Sequence, residues 1–292
     1  QNEPWCAAFL GYGNGVHAPG IKDMQAAAVA GHHLLLSHGL AMPRLRAHTR
    51  PSAQLGITLN FSPVYAVDNR PETLAGVEKE DIFQNRWFVE PIFRGSYPEH
   101  LFTNMGVQHP PVKDGDLALI STPLDFLGVN NYSRVLLRSG PEANGSSSTG
   151  TYEHVVPVPG ACYTEMGWEV YPRGLADLLC RLHRDYAPPA LVVTENGAAF
   201  EDVWDGNTRV SDPRRVEYLQ EHIRAVAQAI SQGAPVRGYF AWSLMDNYEW
   251  AEGYSKRFGL VYIDYASQRR VIKDSGYWYA NFLASQRGQG QK

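Results

Sequence analysis

Cysteine is scarce in this sequence: three residues, Cys6, Cys162 and Cys180, odd in number and far apart. That usage argues against a disulfide framework and for a reducing compartment, so a cytoplasmic location is expected. Neither sign of charge is in large excess, with 26 basic against 30 acidic residues. The sequence therefore offers no electrostatic footprint for nucleic acid or an anionic membrane. Apolar runs are short, broken by His32 and His33 or by charges, and none reaches the roughly 18 residues of a membrane span. Signatures of the CxxC or HExxH kind are missing, so neither metal nor cofactor is expected, and the ten histidines read as structural or exposed. A neutral small molecule suits this balance.

At 292 residues the chain has room for one α/β barrel, typically about 250 residues. No internal repeat or linker divides it, so residues 1–292 are read as a single domain. Residues 1–20 are punctuated by Gly11, Gly13, Gly15, Pro19 and Gly20 and predict a loop. The patterns then predict a helix over 21–40, a strand over 55–61, helix over most of 71–93, and a strand over 125–129. The Gly, Ser, Thr and Pro-rich stretch 139–159 predicts a mobile surface loop, and Asn144-Gly145-Ser146 within it matches a glycosylation sequon. Helices are predicted over 172–184, 212–232 and 274–285, and strands over 190–194 and 236–244. Asp212 and Pro213 begin the second of these helices as a cap and first-turn residue should. Strand alternates with helix, and polar residues follow the strands. This is the pattern of a parallel sheet covered by helices.

Two carboxylates stand out by their company. Glu195 follows the apolar run Ala190 to Val193 and precedes Asn196-Gly197, which places an acid at the rim of a sheet, where α/β barrels keep their chemistry. Glu3 lies within Asn2-Glu3-Pro4, and a segment dense in aromatic and acidic residues runs from Trp242 to Phe258. Paired carboxylates with tryptophans suggest glycoside cleavage. Retention needs the two groups about 5 to 5.5 Å apart, and inversion about 6.5 to 9.5 Å.

The motifs resemble those of glycoside hydrolase family 1, the retaining β-glucosidase family, from residue 1 to about residue 283. The resemblance rests on Asn2-Glu3-Pro4-Trp5-Cys6, Gly128-Val129-Asn130-Asn131-Tyr132, Gly167-Trp168-Glu169-Val170-Tyr171-Pro172, Thr194-Glu195-Asn196-Gly197, Trp242-Ser243-Leu244-Met245-Asp246-Asn247, Glu249-Trp250 and Arg257-Phe258-Gly259-Leu260. It implies Glu195 as nucleophile, Glu3 as acid/base, and Tyr132 as the residue orienting Glu195. Asn2, Asn130, Trp242, Glu249, Trp250, Trp5, Trp168 and Phe258 are the implied sugar and leaving-group contacts. Asn131 stands where the family commonly has an aromatic. Family members acting on 6-phosphorylated sugars have a serine where Glu249 stands here, so unphosphorylated glucosides, galactosides or fucosides are expected.

The implied fold is the C-terminal part of a TIM (β/α)8 barrel, from the end of the fourth strand onward. A glutamine, a histidine-tryptophan pair and an arginine of the family's site belong to the part before it. The strands that remain do not close a barrel and leave edges exposed. An N-terminal polypeptide completing the barrel is therefore the expected partner. A catalytically inactive fragment or sugar-binding subunit is the alternative.

Overall fold

A computed structural model describes residues 1–139, 153–155 and 157–287 of the chain. Most of the stretch 139–159, including the sequon at Asn144, lies outside the described residues.

The first departure from expectation is at the start. Residues 4–13 are helical, with wide π-type turns over Cys6–Gly13, where the Asn14 amide donates to the Phe9 carbonyl at 2.9 Å. Glycine misled the loop reading because it does two jobs here. Gly15 and Gly20 turn the chain at φ 71° and 80°. Gly11 and Gly13 instead allow close packing: a Cβ would stand 2.9 Å from the Ala18 carbonyl oxygen and 2.7 Å from the Phe9 ring, respectively.

Helix α1 (Met24–His48) begins where Asp23 accepts the amides of Gln25 and Ala26 at 2.8 and 3.1 Å. It runs past Pro43, held at its end by buried Met42 and the Arg46–Asp125 ion pair. Strands β1 (Gly56–Asn60) and β2 (Val64–Ala66) follow. Then come α2 (Pro71–Asp81), which continues through wide turns at Ile82–Arg86 into α3 (Trp87–Arg94), and the short α4 (Leu101–Met105) and α5 (Asp116–Ile120). Strands β3 (Phe126–Asn130), β4 (Val135–Arg138) and β5 (Glu153–His154) precede α6 (Pro172–Tyr186). The chain ends with β6 (Leu191–Asn196), α7 (Pro213–Ser231), β7 (Val236–Ala241), β8 (Val261–Asp264), β9 (Arg269–Ile272) and α8 (Asp274–Arg287).

The main sheet has the order β1-β3-β6-β7, every pair parallel, and Asn2 adds a parallel bridge to Thr58 beyond β1. These four strands are the ones expected from sequence. The small β2-β4-β5 sheet and the β8-β9 hairpin were not foreseen. Leu127, Val129, Leu191 and Val193 are buried in the larger core with Leu35 and Trp87 of α1 and α3 and with Leu175 and Leu179 of α6. A second cluster joins Ala198, Phe200 and Leu260 to Tyr218 and Leu219 of α7. The architecture is α/β, a four-stranded parallel sheet with helices against it, as the resemblance to part of a TIM barrel implies, and the sheet stays open along β7 among the described residues.

Candidate functional site

Three strands of the main sheet end on asparagine, β1 at Asn60, β3 at Asn130 and β6 at Asn196, and two irregularities aim the residues there. Val129 pairs with Val193, yet the next residue, Asn130, pairs with Glu195, because the register shifts between them. On the other side of β6 the pairing jumps from Val193–Tyr239 to Asn196–Ala241. The segment Thr194-Glu195-Asn196 is thus bulged against both neighbours, a device that re-aims side chains at sites.

Asn130, fully buried, is the hub. Its Oδ1 accepts the Thr194 hydroxyl at 2.6 Å, which fixes the amide so that Nδ2 points the other way. That nitrogen donates to Glu3 Oε1 at 2.9 Å and to Asn2 Oδ1 at 3.2 Å. Both amides, Asn130 and Asn2, also act on Glu195, opposing the rise in its pKa that burial causes. Both carboxylates therefore share one amide network. Tyr132 donates its phenol to Glu195 Oε2 at 2.7 Å.

Glu3 sits at φ 43°, with its amide donating to the Thr58 carbonyl at 3.0 Å as the sheet ends. Burial raises its pKa, opposed by hydrogen bonds from Asn130 and Cys6 and by the nearness of His17. Burial also raises Glu195, opposed by Tyr132 and reinforced by the charge of Glu3. Tyr132 is itself held well above the usual phenol range by burial and by Glu195, so it remains a donor.

Two rings surround the Tyr132 that holds Glu195: Tyr132 lies 5.2 Å from Trp168 and 6.0 Å from Phe258, and those two are 6.1 Å apart, centroid to centroid. Phe258 is buried and Trp168 half-buried. After β7, the Trp242 amide donates to the Asn196 carbonyl at 2.9 Å, and a Cβ on Gly197 would stand 1.8 Å from the Trp242 oxygen. The Glu249 pKa is pushed up to about 6 by burial, opposed by Trp242, with Glu3 and Glu195 adding to the rise. Trp250 is 65% exposed and stacks at 5.7 Å on His17.

Glu3, Glu195, Tyr132, Asn2, Asn130, Trp242 and Glu249 thus form one connected site, with Trp168, Phe258 and Trp250 around it. Trp5 stands elsewhere. Its ring is buried against Phe9 and Phe83, at 4.9 and 5.7 Å, in the hydrophobic core. The helix starting at Pro4 turns the Trp5 ring inward, two residues after Glu3. Asn131 is also structural, donating to the carbonyls of Phe61 and Ser133 at 3.0 Å each.

Three participants were missed in the sequence. Cys6 follows Glu3 by one helical turn, a signal hidden by reading the region as loop. Thr194 was quoted only as part of its motif. His17 carries no pattern linking it to Trp250. Lys256, which donates from Nζ to the Glu165 carbonyl at 2.8 Å, is occupied structurally.

Known proteins resemble this chain in sequence and in fold. The chain is 41% identical over 288 residues to β-glucosidase A of Acetivibrio thermocellus, covering 97% of this chain and 62% of that protein. It is 45% identical over 295 residues to a bifunctional β-D-glucosidase/β-D-fucosidase of Bifidobacterium breve, covering 97% of this chain and 63% of the relative. The crystal structure of the family 1 β-glucosidase from Exiguobacterium antarcticum B7 superposes with a TM-score of 0.91 at 40% identity, over 99% of this chain and 64% of that one. The Thermotoga maritima family 1 β-glucosidase in complex with isofagomine lactam gives 0.89 at 40% identity, over 97% of this chain and 62% of that one. The chain therefore spans under two thirds of the length of these relatives. A model of glycosyl hydrolase family 1 matches residues 1–288, and the chain belongs to that family.

Proposed function

We propose that this chain carries the catalytic carboxylates of a retaining β-glycosidase acting on unphosphorylated β-glucosides, galactosides or fucosides. The observation that carries the reading is the shared amide network of Asn130 and Asn2, which brings Glu3 and Glu195 to one site while giving each a different environment. Tyr132 stabilises the anion of Glu195 by a hydrogen bond. Glu3, raised by burial, is suited to hold a proton.

In the first step the Glu195 carboxylate attacks the anomeric carbon as the bond to the leaving oxygen breaks, and Glu3 gives that oxygen its proton. In the second, Glu3 takes a proton from water, the water oxygen bonds to the anomeric carbon, and the ester to Glu195 breaks. By the family resemblance Asn2 would donate to the sugar 2-hydroxyl and Glu249 would take the outer hydroxyls, with Trp242 as the stacking floor. A phosphate is disfavoured at this position, because Glu249 is an anion at neutral pH and Lys256 is engaged with the Glu165 carbonyl. The free cysteines support a cytoplasmic setting.

A polypeptide completing the barrel is part of this reading, supported by the open edge at β7. By the family resemblance it would bring an arginine beside Glu195 and the remaining sugar contacts. A 2-fluoro-β-glucoside with a dinitrophenolate leaving group tests the chemistry: intact mass should gain one glycosyl unit, mapped by peptide mass to Glu195. Absence of the adduct both alone and with the family's N-terminal half supplied would overturn the reading in favour of an inactive fragment or sugar-binding subunit.

A further inference from the structure

Behind the loop that carries Glu249, six charged side chains form one connected cluster. Asp202 follows β6, Asp212 and Arg215 open α7, Asp246 and Arg257 flank the loop, and Lys273 precedes α8. Arg215 spans Asp202 with bonds of 2.9 and 3.0 Å and reaches Asp212 at 2.5 Å. Lys273 Nζ bridges Asp202 at 2.6 Å and Asp246 at 2.8 Å, and Arg257 closes the chain on Asp246 at 2.7 Å. Three carboxylates face three cations, and all but Arg257 are buried.

Apolar residues would fill such a space at lower desolvation cost, and setting one arrangement against alternatives is a role buried ion pairs take in some proteins. Here the arrangement they set is the loop's. At one foot, Asp246 accepts the amides of Gly259 at 2.9 Å and Ile263 at 3.3 Å. At the other, the Arg257 carbonyl accepts from Arg215 at 2.8 Å. Gly259 lets the feet touch, since a Cβ there would lie 2.1 Å from the Asp246 nitrogen. The tip between them is exposed at Tyr248, Trp250 and Tyr254, and it turns on the bond from the Glu249 amide to the Gly253 carbonyl at 2.7 Å. The feet of the loop are thus pinned by the cluster, while the tip meets the rest of the fold at the Trp250–His17 stack and the Lys256 bond to the Glu165 carbonyl.

We propose that this cluster sets the pose of the sugar-facing loop, making Asp246 and Arg257 positioning residues that determine which sugar hydroxyls Glu249 accepts. The sugar part rests on the glycosidase reading; the control of the loop does not. A merely structural cluster would alter stability without altering the loop or its discrimination.

Arg257 offers the cleaner variant because its side chain is 18% exposed and leaves the buried pairs intact. In Arg257→Met of the full chain, amides of residues 249–253 should exchange with solvent about tenfold faster while those of β3 and β6 stay unchanged. With the completing half supplied, the KM ratio of nitrophenyl β-glucoside to β-galactoside should shift about tenfold with kcat within about threefold, and Arg257→Lys should recover part of both effects. If Arg257→Met does not fold, Arg257→Lys is read alone for the same two changes at smaller size. Unchanged exchange overturns the proposal, as does faster exchange with an unchanged KM ratio. Turnover absent even from the unsubstituted chain would sink the glycosidase reading, and exchange would still decide the control of the loop.

Discussion

Glu3 and Glu195 both titrate above the ordinary carboxylate range because burial disfavours their anions. On the proposed reading Glu195 must be ionised and Glu3 protonated, so activity should follow a bell whose two limbs both lie above pH 4.5, the usual glutamate value. The limbs belong to the coupled pair, not to either residue alone. Glu3→Gln should abolish the alkaline limb and lower turnover of alkyl glucosides about 10²- to 10⁴-fold. Dinitrophenyl glucosides, whose leaving group needs no proton, should lose far less in the glycosylation step, and an equal loss would argue against Glu3 as the acid. Glu249 allows a thermodynamic check. Its folded pKa is raised from 4.5 to about 6, so the stability linked to its protonated form is present below pH 4.5 and lost as pH rises through about 6. Glu249→Gln should therefore melt higher than the unsubstituted chain at pH 7.5, the difference becoming small at pH 4.5 and vanishing below it. Taking this difference cancels His38 and His222, which burial holds down to about 4 and which act in the opposite sense.

Elements decide where those residues point. The bulge at Thr194-Glu195-Asn196 brings Glu195 opposite Asn130, and Gly197 then lets β6 pass close under Trp242. Gly197→Ala puts a methyl group into the Trp242 carbonyl and should cost about 1–3 kcal/mol of stability. Chemical denaturation measures this, and a variant as stable as the parent would mean the approach relaxes freely. Strand and helix existence was legible from apolar runs and from Asp212-Pro213, since both are local signals. The bulge was not, because it depends on what the neighbouring strands offer residue by residue. The helix at residues 4–13 escaped for a related reason: Gly11 and Gly13 serve contacts with Ala18 and Phe9, and composition alone assigns glycine to turns.

At the scale of the molecule, an open parallel sheet leaves backbone and apolar surface without cover. Phe240 on β7 is 60% exposed and Leu244 just beyond it 67% exposed, beside exposed Tyr248 and Tyr254. Exposed apolar patches at a sheet edge favour association. The chain alone should therefore self-associate in light scattering, and Phe240→Ser with Leu244→Ser should reduce that association. Supplying the N-terminal half of the family's barrel should replace it with a one-to-one complex. A parent chain that remains monodisperse at the mass of the double variant would show that this edge does not associate.

The sequence by itself determined the family, the alternation of strand and helix, and the identities of Glu3, Glu195, Tyr132 and Glu249 as candidates, because motifs and periodicity are written locally along the chain. Only the tertiary structure decided that Trp5 is core, that Thr194 fixes the Asn130 amide, and that Asp246 and Arg257 hold the loop of Glu249. Each of those facts is a meeting of residues distant in sequence or aimed by a bulge. Such meetings are set by packing and by satisfying buried polar groups, and neither leaves a mark at a fixed spacing.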